Sequence, residues 1–139
     1  MAYLLDTCAV SECQHKMPNP GVLDFLAGLR SPETFISVVT IGEIVKGIGL
    51  LPQSRRRTEL ELWYGNDLLY QFERRILAID ATVAEQCGAL QARLIGAGQK
   101  MAAMDALIAA TARTYDLTLV TRNVDDFAHA GIRIENPWA

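Results

Sequence analysis

Four acidic positions in this chain could together hold a divalent metal ion, and they are widely spaced: Asp6, Glu43, Asp105 and the pair Asp125 and Asp126. Three of these positions follow an apolar, strand-like run. In open α/β sheets the ligand crevice lies at the carboxyl ends of parallel strands, so acids placed after strands can converge on folding. Carboxylate oxygens are ligands that Mg²⁺ prefers. The pattern therefore predicts divalent-metal chemistry on a phosphate group.

Asp105 is the most informative of these acids. Its helical neighbours form an apolar stripe that should face the core: Met101, Ala102, Ile108, Ala109 and Ala112. Burying an ionised carboxylate without a partner costs several kcal/mol or forces it to become neutral. Asp105 therefore implies a nearby cation, either a metal ion or an ion-pair partner. The structural alternatives are an ion pair with Arg122 or an acid at the helix end near Lys100.

The other acids each have a structural alternative. Asp6 could be the N-cap of the helix that follows it. Glu43 could complete a capping box with Thr40 at the start of its own helix. Either Asp125 or Asp126 could cap a short helix while the other is solvated. Their joint placement beyond strands and on one apolar helix face favours the metal site over independent caps.

Strand-like runs alternate with helical patterns along the whole chain. The predicted strands are 3–5, 34–39, 76–79, 117–121 and 132–134. The predicted helices are 19–29, Thr40 to near Gly47 or Gly49, 52–70 with an interruption around Gly65 and Asn66, 82–96 and 101–115. This order predicts an α/β fold, a sandwich with a mainly parallel central sheet flanked by helices. No repeat or long linker divides the chain, so residues 1–139 are predicted to form a single domain.

The overall charge argues against a protein that grips nucleic acid by a broad basic face. The 139 residues carry a formal net charge of −3, and the pI is near 5.3. Clustered acids neutralised by bound cations would remove part of this conflict. Local basic patches remain at 55–57, at 74–75 and at Lys46. No apolar run approaches the roughly 18 residues needed to cross a bilayer, which predicts a cytoplasmic protein without membrane contact.

The three cysteines show no metal-binding or redox spacing. We expect Cys8, Cys13 and Cys87 to be reduced and mostly buried. Cys8 stands two residues after Asp6 and could be considered as a nucleophile, but no histidine has a fixed relation to it. A small buried residue is the favoured interpretation.

Five segments carry a resemblance that covers nearly the whole chain: Leu4–Thr7, Thr40–Ile44, Met104–Ala112, Thr121–Phe127 and Asn136–Trp138. Together they closely resemble a PIN-domain toxin of the VapC and FitB type. The resemblance implies a PIN-like fold that binds Mg²⁺, with Mn²⁺ as a substitute, and hydrolyses RNA phosphodiester bonds.

By position, Asp6, Glu43 and Asp105 match the first three acids of that family. Asp126 is chosen as the fourth catalytic and metal-binding residue, with Asn123 and Asp125 as alternatives. The resemblance also assigns supporting roles to Thr7 and Thr121, which would orient the ligands, and to Asn123, which would hydrogen-bond a metal-bound water. The chain departs from many members at Cys8, where they have asparagine.

The same resemblance implies several partners. It predicts a VapB-like or FitA-like antitoxin that inserts a segment into the active-site groove, an RNA substrate, a homodimer, and contact with promoter DNA only through the antitoxin. The competing hypothesis is a non-catalytic PIN-fold subunit that docks partners or regulates a promoter. Measurable metal affinity would discriminate the two.

Overall fold

The computed structural model describes residues 1–138 and has a five-stranded sheet at its centre. The strands are β1 (Tyr3–Leu5), β2 (Thr34–Ser37), β3 (Ile76–Leu77), β4 (Thr118–Val120) and β5 (Ile134–Glu135). Their order is β3-β2-β1-β4-β5, and every neighbouring pair is parallel. The predicted α/β fold is therefore confirmed, with a fully parallel sheet over the described residues.

Helices cover both faces of the sheet. They are α1 (Thr7–Ser11), α2 (Pro20–Ala27), α3 (Val38–Gly49), α4 (Arg55–Leu62), α5 (Leu69–Gln71), α6 (Ala81–Gly96) and α7 (Ala103–Thr114). Short 3₁₀ turns occupy Glu12–Gln14, Ser31–Glu33 and Val124–Phe127, and a π-helix spans Trp63–Leu68. None of these helices is long and apolar enough to cross a membrane.

Side chains that alternate along the strands build two core layers. Leu4 and Leu119 join the layer under α6 and α7, whereas Leu5 and Val120 join the layer under α1 and α3. The predicted helical stripe of α6 is confirmed, because Val83, Cys87, Leu90 and Leu94 are all buried. These two layers fix the ends of the strands against the helices that begin beyond them.

The chain reverses its direction of travel across the sheet between β1 and β4. These strands are adjacent in register, with Leu5 beside Val120. The backbone N–H of Asp6 also donates to the carbonyl of Val120 at 3.0 Å. Asp6 and Thr121 therefore lie side by side at the switch point, where ligands bind in open α/β sheets.

Several predicted boundaries were wrong. Strand β2 ends at Ser37, whose hydroxyl accepts the Val39 N–H at 3.0 Å and caps α3. The predicted strand ran to 39 because Val38 and Val39 are β-branched, a preference that the helix cap and core packing override. Strand β3 is shorter than its predicted range, and strand β5 is shifted from its predicted range.

The predicted interruption in the charged helix is confirmed. The α-helix ends at Leu62 and the π-helix follows, with Gly65 and Asn66 inside it. A π-helix closes i→i+5 hydrogen bonds and is rare beyond a single turn. Here it begins at half-buried Trp63 and ends at Leu68, which is 1 % exposed and packs in the core.

Candidate active site

Asp6 lies directly beyond β1 and is buried, with 7 % of its surface exposed. Its Oδ1 accepts the backbone N–H of Thr7 at 2.9 Å and caps α1. Its Oδ2 accepts the hydroxyl of Thr121 at 2.8 Å. Asp6 is therefore the N-cap of α1, as the structural alternative predicted. Each carboxylate oxygen still has a second lone pair that can bind a cation.

Glu43 lies in the second turn of α3 and is exposed. Its Oε1 accepts the Thr7 hydroxyl at 2.7 Å. The capping-box alternative for Glu43 was wrong, because Ser37 caps the helix and Thr40 is buried inside it, 3.4 Å from the Thr7 hydroxyl. Thr7 therefore links two predicted site acids, through its backbone to Asp6 and through its side chain to Glu43.

Asp105 is the third residue of α7 and is half-buried. Burial raises the pKa of this carboxyl, and the negative charges of Asp126, Asp6 and Glu43 raise it further. Like charges disfavour ionisation only when they are close, so these three acids lie around Asp105. The ion pair with Arg122 was wrong, since Asp105 forms no salt bridge within residues 1–138. The alternative of an acid at a helix end agrees with the structure, because Asp105 lies in the first turn of α7.

The apolar stripe predicted around Asp105 is only partly buried. Ile108, Ala109 and Ala112 are in the core, whereas Met101 is half-buried and Ala102 is exposed. Asp105 thus sits where α7 emerges from the core at the carboxyl edge of the sheet. This position explains why the carboxyl is partly desolvated yet still open to the crevice.

Asp125 and Asp126 both lie in the 3₁₀ turn after β4, and both are exposed. Only Asp126 of the two contributes to the raised pKa of Asp105. Buried Phe127 anchors the turn in the core. This electrostatic coupling favours Asp126 over Asp125 as the neighbour of Asp105.

Thr121 is fully buried and joins two parts of the site. It donates to Asp6 and accepts the backbone N–H of Asn123 at 3.0 Å. The side chain of Asn123 is exposed beside the crevice. Thr7 and Thr121 thus contact predicted site acids directly, whereas the role predicted for the Asn123 side chain stays a prediction.

Cys8 lies beneath the acids, with its Sγ 3.8 Å from Asp6 Oδ2 and 3.7 Å from Thr121 Oγ1. Burial raises the pKa of this thiol and the charge of Asp6 adds to the rise, whereas the backbone and charge of Arg122 oppose it. A protonated thiol is a poor nucleophile, so Cys8 is not poised for attack. Cys13 is exposed, contrary to the prediction that the cysteines are mostly buried.

The donor set has the chemistry for Mg²⁺ but is not a closed cage. Within residues 1–138 no group of three or more His, Cys, Asp or Glu side chains is drawn together as a ready metal site. Mg²⁺ commonly keeps several waters and binds proteins through one or two carboxylates, so it does not need such a cage. The unneutralised repulsion at Asp105 is the feature of this structure that a cation would relieve.

The parallel sheet with an acidic crevice at its switch point places this chain among the open α/β proteins, whose ligands bind outside the carboxyl ends of the strands. The model of the PIN domain matches residues 3–132, and the chain belongs to this family.

Relatives match the chain over nearly its full length. It is 35% identical over 135 residues to the plasmid stability protein StbB of Pseudomonas syringae pv. tomato, covering 97% of each chain. It is 33% identical to the toxin FitB of Neisseria gonorrhoeae, again over 97% of each chain. It is 28% identical to the VapC ribonuclease Y4jK of Sinorhizobium fredii, over 97% of this chain and 96% of the relative.

A solved structure shows the same architecture. The structure of FitAB bound to an IR36 DNA fragment contains a chain that superimposes with a TM-score of 0.93 at 31% identity. The match covers 99% of this chain and 96% of the other.

Proposed function

We propose that this protein is a metal-dependent endoribonuclease and the toxin of a type II toxin–antitoxin system. The observation that carries the proposal is the convergence of three acids on Asp105, which raises its pKa, while Asp105 forms no salt bridge within residues 1–138. Membership of the PIN family and the similarity to a relative named VapC ribonuclease support it.

The acids that would hold Mg²⁺, or Mn²⁺ in its place, are Asp6, Glu43, Asp105 and Asp126. When bound, such an ion neutralises charge on the phosphate and lowers the pKa of a coordinated water. All four groups are hard oxygen donors, which suits Mg²⁺ better than zinc or copper.

The chain's own residues would hold the site in shape. Thr7 and Thr121 donate hydrogen bonds to Glu43 and Asp6, which would hold both carboxylates in fixed orientations. Asn123, exposed beside them, would hydrogen-bond a water. Attack of water in line on phosphorus breaks the P–O3′ bond and leaves a 5′-phosphate and a 3′-hydroxyl.

The same proposal includes a cognate VapB-like or FitA-like antitoxin. The superimposed neighbour is a FitAB complex on DNA, which supports both an antitoxin partner and DNA contact through that partner. Glu43 lines a mainly apolar groove of about 290 Å³ together with Ile48 and Trp63. A basic antitoxin segment would pack its apolar side chains there and direct a cation to the acids.

A homodimer is part of the proposal as well. Val38, Val45 and Met104 are exposed apolar side chains on α3 and α7. Val38 and Met104 line a second apolar groove, of about 420 Å³, between these helices. Light scattering of the purified protein would give the oligomeric state directly.

The competing candidate is a non-catalytic PIN-fold docking or promoter-regulating subunit. The presence of all four acids counts against it. The two candidates differ in whether the free protein cleaves RNA.

The deciding experiment incubates the purified, antitoxin-free protein with total cellular RNA in Mg²⁺, in Mn²⁺ and in EDTA. Asp105→Asn tests the site, and Asp24→Asn on the exposed surface of α2 is the matched control. We expect discrete fragments with 5′-phosphates from the wild type and from Asp24→Asn, only with metal. If the folded protein cleaves no RNA in either metal, the result would favour the non-catalytic subunit over the ribonuclease.

A further inference from the structure

Arg122 is an exposed basic residue at the rim of the acidic crevice. It lines a polar groove of about 430 Å³ together with Asn123, Val124, Asp125, Asp126 and Asn136. Arg122 is the single basic side chain in this lining over the described residues. A groove that combines one arginine with the proposed fourth metal-binding acid is suited to a polyanion that also contacts the metal site.

The guanidinium of Arg122 stacks on the C-terminal part of the chain. Its Cζ atom lies 5.7 Å from the ring centroid of Trp138, within the range of a cation–π contact. Such a contact restricts the rotamers of a long exposed side chain without consuming its hydrogen-bond donors. Arg122 is therefore held in place while its N–H groups stay available.

Trp138 is itself anchored on a buried carboxylate. Its indole N–H donates to Glu12 Oε1 at 2.9 Å, and Glu12 is only 4 % exposed. His15 Nδ1 lies 3.3 Å from the other oxygen of Glu12. The backbone N–H of Trp138 donates to Asn136 Oδ1 at 3.0 Å. A buried carboxylate with two partners gives the stacking platform a fixed position.

The segment before Trp138 is pressed against α2. A Cβ atom added at Gly21 would lie 2.8 Å from the carbonyl oxygen of Pro137, closer than real Cβ contacts. Only glycine at this position lets the two backbones approach so closely. The platform under Arg122 is thus built by tertiary packing from both ends of the chain.

The charge of Arg122 is not neutralised by an ion pair with the acidic cluster. Arg122 forms no salt bridge within residues 1–138. The guanidinium therefore remains free to bind an anion at the edge of the crevice rather than at its centre.

We propose that Arg122 binds an RNA phosphate next to the scissile one, and that Trp138, held by Glu12, is a positioning residue for it. This inference rests on the proposed ribonuclease function. A planar arginine fork binds a phosphate through two parallel N–H···O bonds, and in a protein of net charge −3 such a contact matters for holding RNA against the acids.

The first test measures binding of a short fluorescent single-stranded RNA of mixed sequence in EDTA, over a range of salt concentrations. We expect Arg122→Gln to bind about tenfold more weakly and to lower the slope of log affinity against log salt by roughly 0.7, the value for one phosphate contact. Arg122→Lys should keep the slope because it keeps the charge. Arg30→Gln, an exposed residue just before the turn Ser31–Glu33 and β2, is the matched control.

The second test separates positioning from folding. Trp138→Ala should raise the KM for cleavage several-fold and leave kcat nearly unchanged, whereas Trp138→Phe, which keeps a ring under Arg122, should restore most of the KM. Glu12→Gln should resemble the wild type more closely than Glu12→Ala, because its amide oxygen can still accept the indole N–H.

The outcomes distinguish this inference from the proposed function. A wild type that cleaves RNA while Arg122→Gln keeps the full salt slope would overturn the role of Arg122. Equal KM values for Trp138→Ala and the wild type would overturn the positioning role. A wild type that cleaves no RNA refutes the proposed function itself, and the binding data then show whether Arg122 contacts phosphate at all.

Discussion

The hydroxyl of Thr121 donates a 2.8 Å hydrogen bond to Oδ2 of Asp6, across a separation of 115 residues in the chain. This bond joins the ends of β1 and β4 at the switch point of the sheet. Because Thr121 also accepts the N–H of Asn123, one buried hydroxyl positions both an acid and the turn that carries Asp126. Thr121 therefore contributes to the shape of the proposed site from the β4 side.

Thr121→Val should damage both stability and activity. The isosteric change leaves Asp6 Oδ2 and the Asn123 N–H without their partner, which should cost about 1–3 kcal/mol of unfolding free energy. Cleavage should fall about 10- to 100-fold, as for other groups that orient metal ligands. Urea unfolding and a cleavage assay measure the two effects. Thr121→Ser keeps the hydroxyl, so equal damage from both variants would contradict the argument.

Local patterns in the sequence indicated the candidate acids, whereas the choice of Asp126 over Asn123 and Asp125 came from the family resemblance. Asp6 was predicted from an apolar run followed by an acid, and Asp105 from an acid among apolar helical residues. The structure places Glu43 near Asp105, and its helix begins at Val38 rather than Thr40. A pair of β-branched residues favours a strand, but here the neighbouring strand and the Ser37 cap override that preference.

Contacts between distant residues could not be read from the sequence. Trp138 and Glu12 are 126 positions apart, and neither residue type in its local context signals the other. The same holds for the stacking of Arg122 on Trp138, since an arginine after a strand is most often solvated. Such pairs depend on how the last strand and α1 are placed around the sheet, which no local periodicity encodes.

The metal-free protein should become less stable as pH rises through the titration of Asp105. Its pKa in the folded state lies above the usual value of 3.8, so the native protein holds this proton more tightly than the unfolded chain does. The penalty is absent below about 3.8, grows as pH rises, and is complete above the raised pKa.

Asp105→Asn should therefore raise the unfolding free energy in EDTA at neutral pH while it removes cleavage. Its advantage over the wild type should shrink as pH falls through the same window. Urea unfolding at a series of pH values measures the difference. Asp24→Asn, on an exposed surface, should stay within about 0.5 kcal/mol of the wild type throughout. An advantage of Asp105→Asn that grows toward low pH would show that the sign is wrong.

Cys8→Ala should leave RNA cleavage within about threefold of the wild type, because a thiol whose pKa is raised supplies little thiolate. In the native protein, iodoacetamide should modify exposed Cys13 before half-buried Cys8, as peptide mass spectrometry would show. Loss of cleavage in a folded Cys8→Ala protein would reinstate the thiol as a participant. Cys87→Ala, which changes a buried residue of α6, is the control for purely structural effects.

Mg²⁺ should stabilise the protein in the absence of RNA, because a cation relieves the repulsion among the four acids. At ten times its dissociation constant, one bound ion contributes about 1.4 kcal/mol, which corresponds to a Tm increase of roughly 4–8 °C for a domain of this size. Asp105→Asn should lose most of this increase, whereas Asp24→Asn should keep it. Thermal unfolding with and without Mg²⁺ measures both. If the wild type and Asp105→Asn respond equally, the ion binds elsewhere, and the four acids do not form its site.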